Sequence, residues 1–313
     1  MADKHRLALH ATLPPRYARF EVLAATIDYR GRLLALLVDP AHVPVGAGPI
    51  PPYDAILVIC DGDDSAQIQL NDLDQRFSEI DAFGDGVVLA AARIDTVTST
   101  SSELPRNVVA FDSTGHRVGG FYAGDAIAQL LTDPAGRIWI SYFDEATFAF
   151  PQSNGTWEIG FLIGAARWDS LDSPAWFAFD DTGSQVSWCD CYAINVGRNR
   201  TYACPYPEFA VVEMDSDGVL SINQNLITRC TGLVVSGSSF GFFEQHDEPE
   251  SRWVIRRGRL QDGVITETTQ AELLLPDGHQ PRQWARGRIG RDATLWLHEA
   301  DNPRQWYRYD LEG

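Results

Sequence analysis

Charged side chains of both signs lie beside the ends of several apolar segments, where they could bind a ligand or carry acid–base chemistry. An arginine can form two parallel hydrogen bonds to a carboxylate or phosphate, and a carboxylate can serve as a general base. If the apolar segments are strands of one architecture, their ends converge and produce a ring of mixed charge. The residues that we predict to line this ligand site are Arg76, Asp125, Asp144, Glu145, Asp190 and Arg282.

The same residues have a second interpretation. Carboxylates near arginines commonly pair with each other, and such pairs would join neighbouring strands without binding anything. A zwitterionic or polyhydroxylated ligand suits a ring of mixed charge better than a bare cation does. The sequence leaves both interpretations open, and we assign no catalytic residue, no metal ligand and no cofactor from it.

Two further motifs are expected to be structural. Residues 237–241 read GSSFG, but a nucleophile elbow needs a strand-to-helix turn and this segment is predicted to be a hairpin. Cys189, Cys191 and Cys204 lie close in the sequence, yet a thiolate metal site usually has four ligands and no histidine lies near them. We expect these cysteines to be small core residues.

The elements that position the charged residues are predicted to be short strands in a repeating pattern. Residues 126–145, AIAQLLTDPAGRIWISYFDE, are typical of a hairpin whose second strand is covered on both faces. Similar inner hairpins recur about every 50 residues, and each is followed by an outer hairpin such as WFAFDDTGSQVSW, with a predicted turn at residues 181–183. The predicted turn glycines of the inner hairpins are Gly31, Gly84, Gly136, Gly197, Gly237 and Gly290.

This repeat predicts an all-β fold, a six-bladed β-propeller with four antiparallel strands per blade. Residues 5–13, HRLALHATL, are predicted to form a strand beside residues 305–311 that completes the last blade and protects its edge. No interior segment has the composition of a linker, so residues 1–313 are predicted to form a single domain.

The motifs of these hairpins resemble those of known propellers. The phrase TDPAGRIWIS is similar to NHL-type and gluconolactonase-type six-bladed propellers, and GRIWISYFDE followed by DCYAINV resembles a family of uncharacterised bacterial propeller proteins. The resemblance covers residues 108–245 and implies a fold without a particular activity. Gluconolactonase-type propellers bind one divalent cation through oxygen ligands. In this chain those oxygens would have to come from Asp125, Asp144, Glu145 and Asp190, and that family's pattern of one ligand per blade is missing.

Long loops are predicted on the face where the charged strand ends meet. They comprise residues 40–53, 96–106 and 145–174, and long ordered loops on a rigid scaffold often carry binding sites. The third is rich in aromatic residues, which would be unfavourable in water, so we expect it to be ordered and packed across the face. Its aromatic residues are Phe148, Phe150, Trp157, Phe161 and Trp168.

Composition narrows the classes of function. The chain of 313 residues has 25 Lys and Arg against 43 Asp and Glu, a net charge of −18, which argues against nucleic acid or an anionic membrane as a partner. No apolar segment approaches the ~18 residues of a membrane span, and the N-terminus lacks the apolar region of a secretory signal. An odd count of 5 cysteines favours a reduced, cytoplasmic location.

These observations favour one function and leave one alternative. The first is a non-catalytic binding or scaffold protein that recognises a polar small molecule, a peptide or a protein on its loop-rich face. The alternative is a metal-dependent, lactonase-type hydrolase that uses a carboxylate at the channel mouth as general base and a divalent cation as cofactor.

Overall fold

The protein is described by a computed structural model that covers residues 3–44, 50–94, 106–148, 164–173, 175–246 and 252–313, with only the backbone at 147–148. Within these residues the structure is nearly all β, as the sequence predicts. The chain divides into two compact units, one formed by Met1–Thr12 with Asp180–Gly313 and the other by Leu13–Phe179.

Short strands follow one another through the described residues. The first fourteen are β1 (Asp3–Arg6), β2 (Ala8–Thr12), β3 (Glu21–Ile27), β4 (Leu33–Val38), β5 (Tyr53–Asp61), β6 (Asp64–Leu73), β7 (Glu79–Phe83), β8 (Gly86–Ala90), β9 (Val108–Phe111), β10 (Arg117–Phe121), β11 (Ile127–Thr132), β12 (Ile138–Tyr142), β13 (Ala165–Trp168) and β14 (Trp176–Phe177). The others are β15 (Ile194–Val196), β16 (Thr201–Ala203), β17 (Val211–Met214), β18 (Val219–Asn225), β19 (Gly232–Ser236), β20 (Ser239–His246), β21 (Arg252–Gln261), β22 (Val264–Leu274), β23 (Ala285–Arg291), β24 (Thr294–Glu299) and β25 (Gln305–Asp310). One short helix, α1 (Ala178–Thr182), and 3-10 turns at Pro15–Tyr17, Pro40–His42, Asp144–Phe148 and Gly183–Gln185 accompany them.

The Leu13–Phe179 unit contains three four-stranded antiparallel sheets, formed by β3–β6, β7–β10 and β11–β14. In the second strand of each sheet, β4, β8 and β12, every residue is buried. This confirms the two-sided burial predicted for the hairpin around Gly136, because both faces of such a strand contact apolar neighbours. The core lies between successive sheets, with one apolar cluster between the first and second and another between the second and third.

The Met1–Thr12 and Asp180–Gly313 unit contains one 13-stranded mixed sheet. Within it, β15–β18, β19–β22 and β23–β25 pair antiparallel in sequence order. Short parallel pairings, such as that of Gln224–Asn225 with Val264–Ile265, join these runs. Apolar clusters again fill the space between successive runs.

Three hairpins turn through the same aspartate-based loop. Asp28, Asp112 and Asp133 each accept hydrogen bonds at Oδ1 from the backbone N–H groups two and four residues later, at 2.9–3.1 Å. The glycine three residues after each aspartate has a φ of +79° to +86°, which a residue with a Cβ adopts only with strain. The carboxylate therefore holds the loop in a shape that glycine permits.

Buried polar side chains connect neighbouring runs of strands inside each unit. Asp81 of β7, which is fully buried, accepts a hydrogen bond from the backbone N–H of Thr132 in β11. Asn195 of β15 donates from Nδ2 to the carbonyl oxygens of Leu233 (3.0 Å) and Asp292 (2.8 Å). The position of Asn195 near a predicted turn favours a capping role. In the structure its side chain instead joins β15 to the start of β19 and to the loop at Asp292.

The predicted outer hairpin at residues 176–188 is wrong. After the two-residue strand β14 the chain forms α1 and then a 3-10 turn. Ala178 and Thr182 are both buried and lie four residues apart, which is a helical spacing. The buried indole of Trp188 donates from Nε1 to Thr182 Oγ1 at 2.9 Å, so the turn folds back over this side chain instead of continuing into a strand.

Two smaller expectations are also corrected. Gly290 lies inside β23 rather than in a turn, because the adjoining turn contains Asp292, and a Cβ at Gly290 would lie 2.1 Å from the carbonyl oxygen of Leu233. The N-terminal segment forms two strands instead of one. Of these, β2 pairs antiparallel with β25 as expected, whereas β1 pairs in parallel with β22.

The long loops fall largely outside the described residues. Residues 45–49, 95–105, 149–163 and 174 are not described, and neither is the side chain at position 148, so the predicted packing of Phe148, Phe150, Trp157 and Phe161 stays a prediction. Trp168 belongs to β13 rather than to a loop, and its buried ring stacks on Phe121 with centroids 4.7 Å apart.

Replacing Asp133 by Ala is expected to lower the free energy of unfolding by about 3 kcal/mol. The side chain is 5% exposed, and its Oδ2 also accepts hydrogen bonds from Arg137 Nη1 (3.0 Å) and Trp139 Nε1 (3.2 Å). The variant would leave these donors and two backbone N–H groups without their acceptor. Urea denaturation followed by tryptophan fluorescence measures the effect.

The matched control is Asp112→Ala, which alters the same turn at a more exposed position. The backbone of this loop can hydrate, so the loss of stability should be clearly smaller than for Asp133→Ala. Equal losses at the two positions would show that the turn alone, and not the buried donors, accounts for the effect.

Candidate functional site

The structure brings two of the sequence-predicted site residues together through a third residue. Arg93 lies with Nε 3.2 Å from Asp125 Oδ1, and its Nη1 pairs with Glu145 Oε2. Asp125 Oδ1 also accepts a hydrogen bond from the backbone N–H of Ile94 at 2.9 Å. Arg93 stacks over the ring of Phe143 at 5.4 Å. Arg93 is not among the sequence-predicted residues, although it lies two residues after the buried segment 86–91 that contains β8.

The two other predicted residues of this unit have different surroundings. Asp144 is exposed and begins the 3-10 turn that contains Glu145. Arg76 is half-buried and precedes β7, close enough to Tyr53 to oppose the rise in its pKa. Burial is the main reason that the pKa of Tyr53 is raised to about 12, and its hydroxyl donates to the carbonyl oxygen of Gln75 at 2.8 Å.

Asp190 and Arg282 belong to the other unit. Asp190 forms an isolated β-bridge with Tyr206 and accepts a hydrogen bond at Oδ1 from the hydroxyl of Tyr192 at 2.9 Å. The backbone N–H of Arg282 donates to Glu299 Oε1 at 2.7 Å, and its side chain is exposed. The gathering of all six residues in one site stays a prediction.

A polar groove lies on one face of β20, β21 and β22. Side chains at every second position of a strand face the same side, and the register sets Glu244 opposite Val254 and Arg256 opposite Gln270. The groove has a volume of about 320 Å³, which is at the lower end of the range for small-molecule sites. Its lining comprises Glu244, His246, Arg252, Val254, Arg256, Gln270, Ala271 and Glu272.

Glu244 is the most buried charged residue of this groove, with 10% of its side chain exposed. Its carboxylate lies 3.5 Å from His246 Nε2 and 3.7 Å from Arg256 Nη1. Both distances exceed those of ordinary hydrogen bonds. No hydrogen bond to this carboxylate comes from any residue in the described part of the chain, so a nearly buried charge lies beside the Arg256 guanidinium and the His246 imidazole without a close donor.

Arg256 is held away from Glu244 by other acceptors. Its Nε lies 3.1 Å from Glu267 Oε2, and its Nη1 lies 3.4 Å from the carbonyl oxygen of Thr228. The hydrogen bond to Glu267 raises the pKa of Arg256 above its ordinary value. Glu272 lies opposite Val254, on the far side of it from Glu244, and accepts a hydrogen bond from Gln280 Nε2. Arg252 lies opposite His246 and is exposed.

His246 is the last residue of β20, and the sequence does not identify the groove that it lines. The sequence does contain a signal for a shared face. Glu244 and His246 are two residues apart on one strand, and Arg252, Val254 and Arg256 occupy every second position of the next. What the sequence does not reveal is the register that sets these two series side by side.

The two motifs that are expected to be structural, GSSFG and the cysteine group, have these positions in the structure. GSSFG lies in the hairpin between β19 and β20. Cys191 and Cys204 are buried free thiols, whereas Cys189 is half-buried. In residues 3–44, 50–94, 106–148, 164–173, 175–246 and 252–313, no three His, Cys, Asp or Glu side chains come together as a metal site would require. The described residues also contain no helix of the length and apolar character needed to traverse a bilayer.

Comparisons with known proteins give similarity at the level of structure. No protein-family model matches the chain, and the search of curated proteins returns no match. A catalytically inactive virginiamycin B lyase from Staphylococcus aureus, solved with quinupristin, is 10% identical, with a TM-score of 0.48 over 96% of this chain and 98% of that one. The β-propeller domain of Cps50 (Swd1) from Myceliophteria thermophila is 9% identical, with a TM-score of 0.49 over 96% of each chain.

A gluconolactonase from Xanthomonas campestris is 10% identical, with a TM-score of 0.42 over 98% of this chain and 96% of that chain. These solved structures comprise two enzymes, a lyase and a gluconolactonase, and the β-propeller domain of Swd1. At this identity and these TM-scores, they support no argument about the activity of this chain, which must rest on its own residues.

His298, the second-last residue of β24, provides a test of pH dependence. It is 6% exposed, its Nδ1 lies 2.7 Å from the carbonyl oxygen of Glu299, and burial lowers its pKa to about 4. In the unfolded chain a histidine has a pKa of about 6.5, so the unfolded state binds more protons between these values. The free energy of unfolding should therefore fall by about 2 kcal/mol between pH 7 and pH 5 from this residue.

Urea denaturation at both pH values measures this contribution. His298→Gln should lose it and show a flatter pH dependence than the wild type. His42 is exposed, so His42→Gln should keep the wild-type dependence. An unchanged dependence in His298→Gln would mean that His298 does not titrate as its burial requires.

Proposed function

We propose that this chain is a six-bladed β-propeller of the cytoplasm that binds a small polar ligand with both an ammonium and a carboxylate group, without chemical conversion. The four-stranded antiparallel runs and the apolar clusters between them support the propeller. The groove on β20–β22 supports the binding role. A free amino acid has this chemistry, whereas either terminus of a longer peptide carries only one of the two groups.

The state of Glu244 is the observation that carries this proposal. Burial of a charged carboxylate is unfavourable unless hydrogen bonds replace those of water. In this groove the nearest side-chain nitrogen atoms of a basic residue, His246 Nε2 and Arg256 Nη1, are 3.5 and 3.7 Å away. A ligand ammonium would donate the hydrogen bonds that the described residues do not provide.

The carboxylate of the ligand would be bound by Arg252. This side chain is exposed, and no ion pair joins it to any other residue in the described ranges. A guanidinium binds a carboxylate through two parallel hydrogen bonds. Glu244 and Arg252 both line the groove, so a small zwitterion would meet a partner for each of its charges.

Isothermal titration calorimetry with L-glutamine, acetate and glucose tests this proposal on the purified chain. L-glutamine should bind with saturation, whereas acetate and glucose should not, because only the zwitterion has both groups. Glu244→Gln should weaken binding by about tenfold or more, since a charge-assisted hydrogen bond is worth about 1.5–3 kcal/mol. Failure of L-glutamine to bind, or stronger binding of acetate, would contradict the proposal.

Arg259→Gln is the matched control, because Arg259 is exposed on the same strand as Arg252 and does not line the groove. It should bind L-glutamine as the wild type does. The six residues predicted from the sequence define a second location, tested by Asp125→Asn and Asp190→Asn. Loss of binding in these variants but not in Glu244→Gln would move the site to the sequence-predicted residues.

The alternative of a lactonase-type hydrolase has its own test. Elemental analysis of the protein after purification without chelators would detect a stoichiometric divalent metal. If the metal were present and lost in Asp190→Asn, the hydrolase would replace the binding function.

A further inference from the structure

Three cysteine side chains form a buried cluster that plays no part in the groove. Cys191, Cys204 and Cys230 are 0%, 2% and 3% exposed. The Sγ atoms of Cys204 and Cys230 are 3.1 Å apart. Cys204 follows β16 and Cys230 precedes β19, so the two thiols lie where successive runs of strands pack against each other.

We propose that Cys204 and Cys230 form an oxidisable dithiol, a modification site at which a hydroperoxide produces a reversible intramolecular disulfide. This chemistry does not depend on the ligand-binding function. It concerns two residues that the sequence places in separate predicted blades, and that become neighbours only in the folded chain.

The reaction balances with hydrogen peroxide as the oxidant. One thiolate attacks the O–O bond and becomes a sulfenic acid, and the displaced oxygen leaves as water after protonation. The second thiol then displaces the sulfenic hydroxyl as a second molecule of water, and the S–S bond forms. The two sulfur atoms together lose two electrons, and a small thiol reductant restores both thiols by exchange.

Side-chain directions favour this pair over the other cysteines. The Cys204 thiol lies 3.2 Å from the carbonyl oxygen of Phe209, and the Cys230 thiol donates toward Cys204 Sγ. Cys191 instead donates to the carbonyl oxygen of Ala193 at 3.8 Å. A disulfide has an S–S distance of about 2 Å, so the Cys204 and Cys230 sulfur atoms need to approach by only about 1 Å.

Burial determines how the reaction depends on pH. It raises the pKa of Cys204 well above the ordinary value for a thiol, and the thiolate is the species that attacks a peroxide. Oxidation should therefore be slow at neutral pH and should accelerate by up to about tenfold per pH unit while the thiolate fraction rises.

The experiment exposes the native protein to hydrogen peroxide, removes the peroxide with catalase, and then alkylates all remaining thiols after denaturation. Of the 5 cysteines, Cys204 and Cys230 should resist alkylation. Digestion and mass spectrometry should show one cross-linked pair of peptides that carries these two residues and separates on reduction. The oxidised protein should also unfold at a higher temperature, since the cross-link restricts the unfolded chain.

Variants separate this disulfide from other outcomes. Cys204→Ser and Cys230→Ser should abolish the cross-link, whereas Cys191→Ser and Cys60→Ser should retain it. A cross-link to Cys191, or irreversible oxidation of single cysteines without a cross-link, would overturn the proposal. Because the wild-type peptide map answers the question directly, a variant that failed to fold would leave the test intact.

Discussion

The hydrogen bonds that an aspartate carboxylate accepts from the backbone of its own turn are the constraint on which this architecture depends. At Asp28, Asp112 and Asp133 the carboxylate accepts hydrogen bonds from backbone N–H groups of the loop that have no partner in a neighbouring strand. A slip of one residue would move every side chain of the strand to the opposite face. The turn therefore determines which residues enter the core of each flanking sheet.

The second level of organisation is the contact between sheets. Strands that contact an apolar cluster on each face have no access to water. The few polar side chains on these strands are therefore expected to form hydrogen bonds within the protein. Asp81 and the Nδ2 group of Asn195 meet this requirement by reaching across to the next run of strands. Such links favour one alignment of neighbouring sheets, because a shifted sheet would bury an unpaired amide or carboxylate.

The charged residues of the two candidate sites differ in how far they are exposed to solvent. Arg93, Asp125 and Glu145 form ion pairs in which Arg93 and Glu145 are more than half exposed, and pairs of this kind contribute little to stability. Glu244 is different, because its carboxylate is nearly buried beside a groove and lacks close donors among the described residues. A buried charge with incomplete hydrogen bonding is costly to maintain, which is why the binding proposal rests on this residue.

The sequence by itself determined the all-β class, most of the hairpins and the antiparallel pairing of β2 with β25, because alternation, turn residues and apolar runs are local signals. The prediction from sequence was wrong at residues 178–188. There the chain forms helical turns that pack over the buried side chain of Trp188, and no local pattern indicated them. The sequence could name charged strand ends but not their partners. Only the tertiary structure set Glu244 beside Arg256 and Cys204 beside Cys230, because both contacts join segments whose proximity depends on register and on sheet-to-sheet packing.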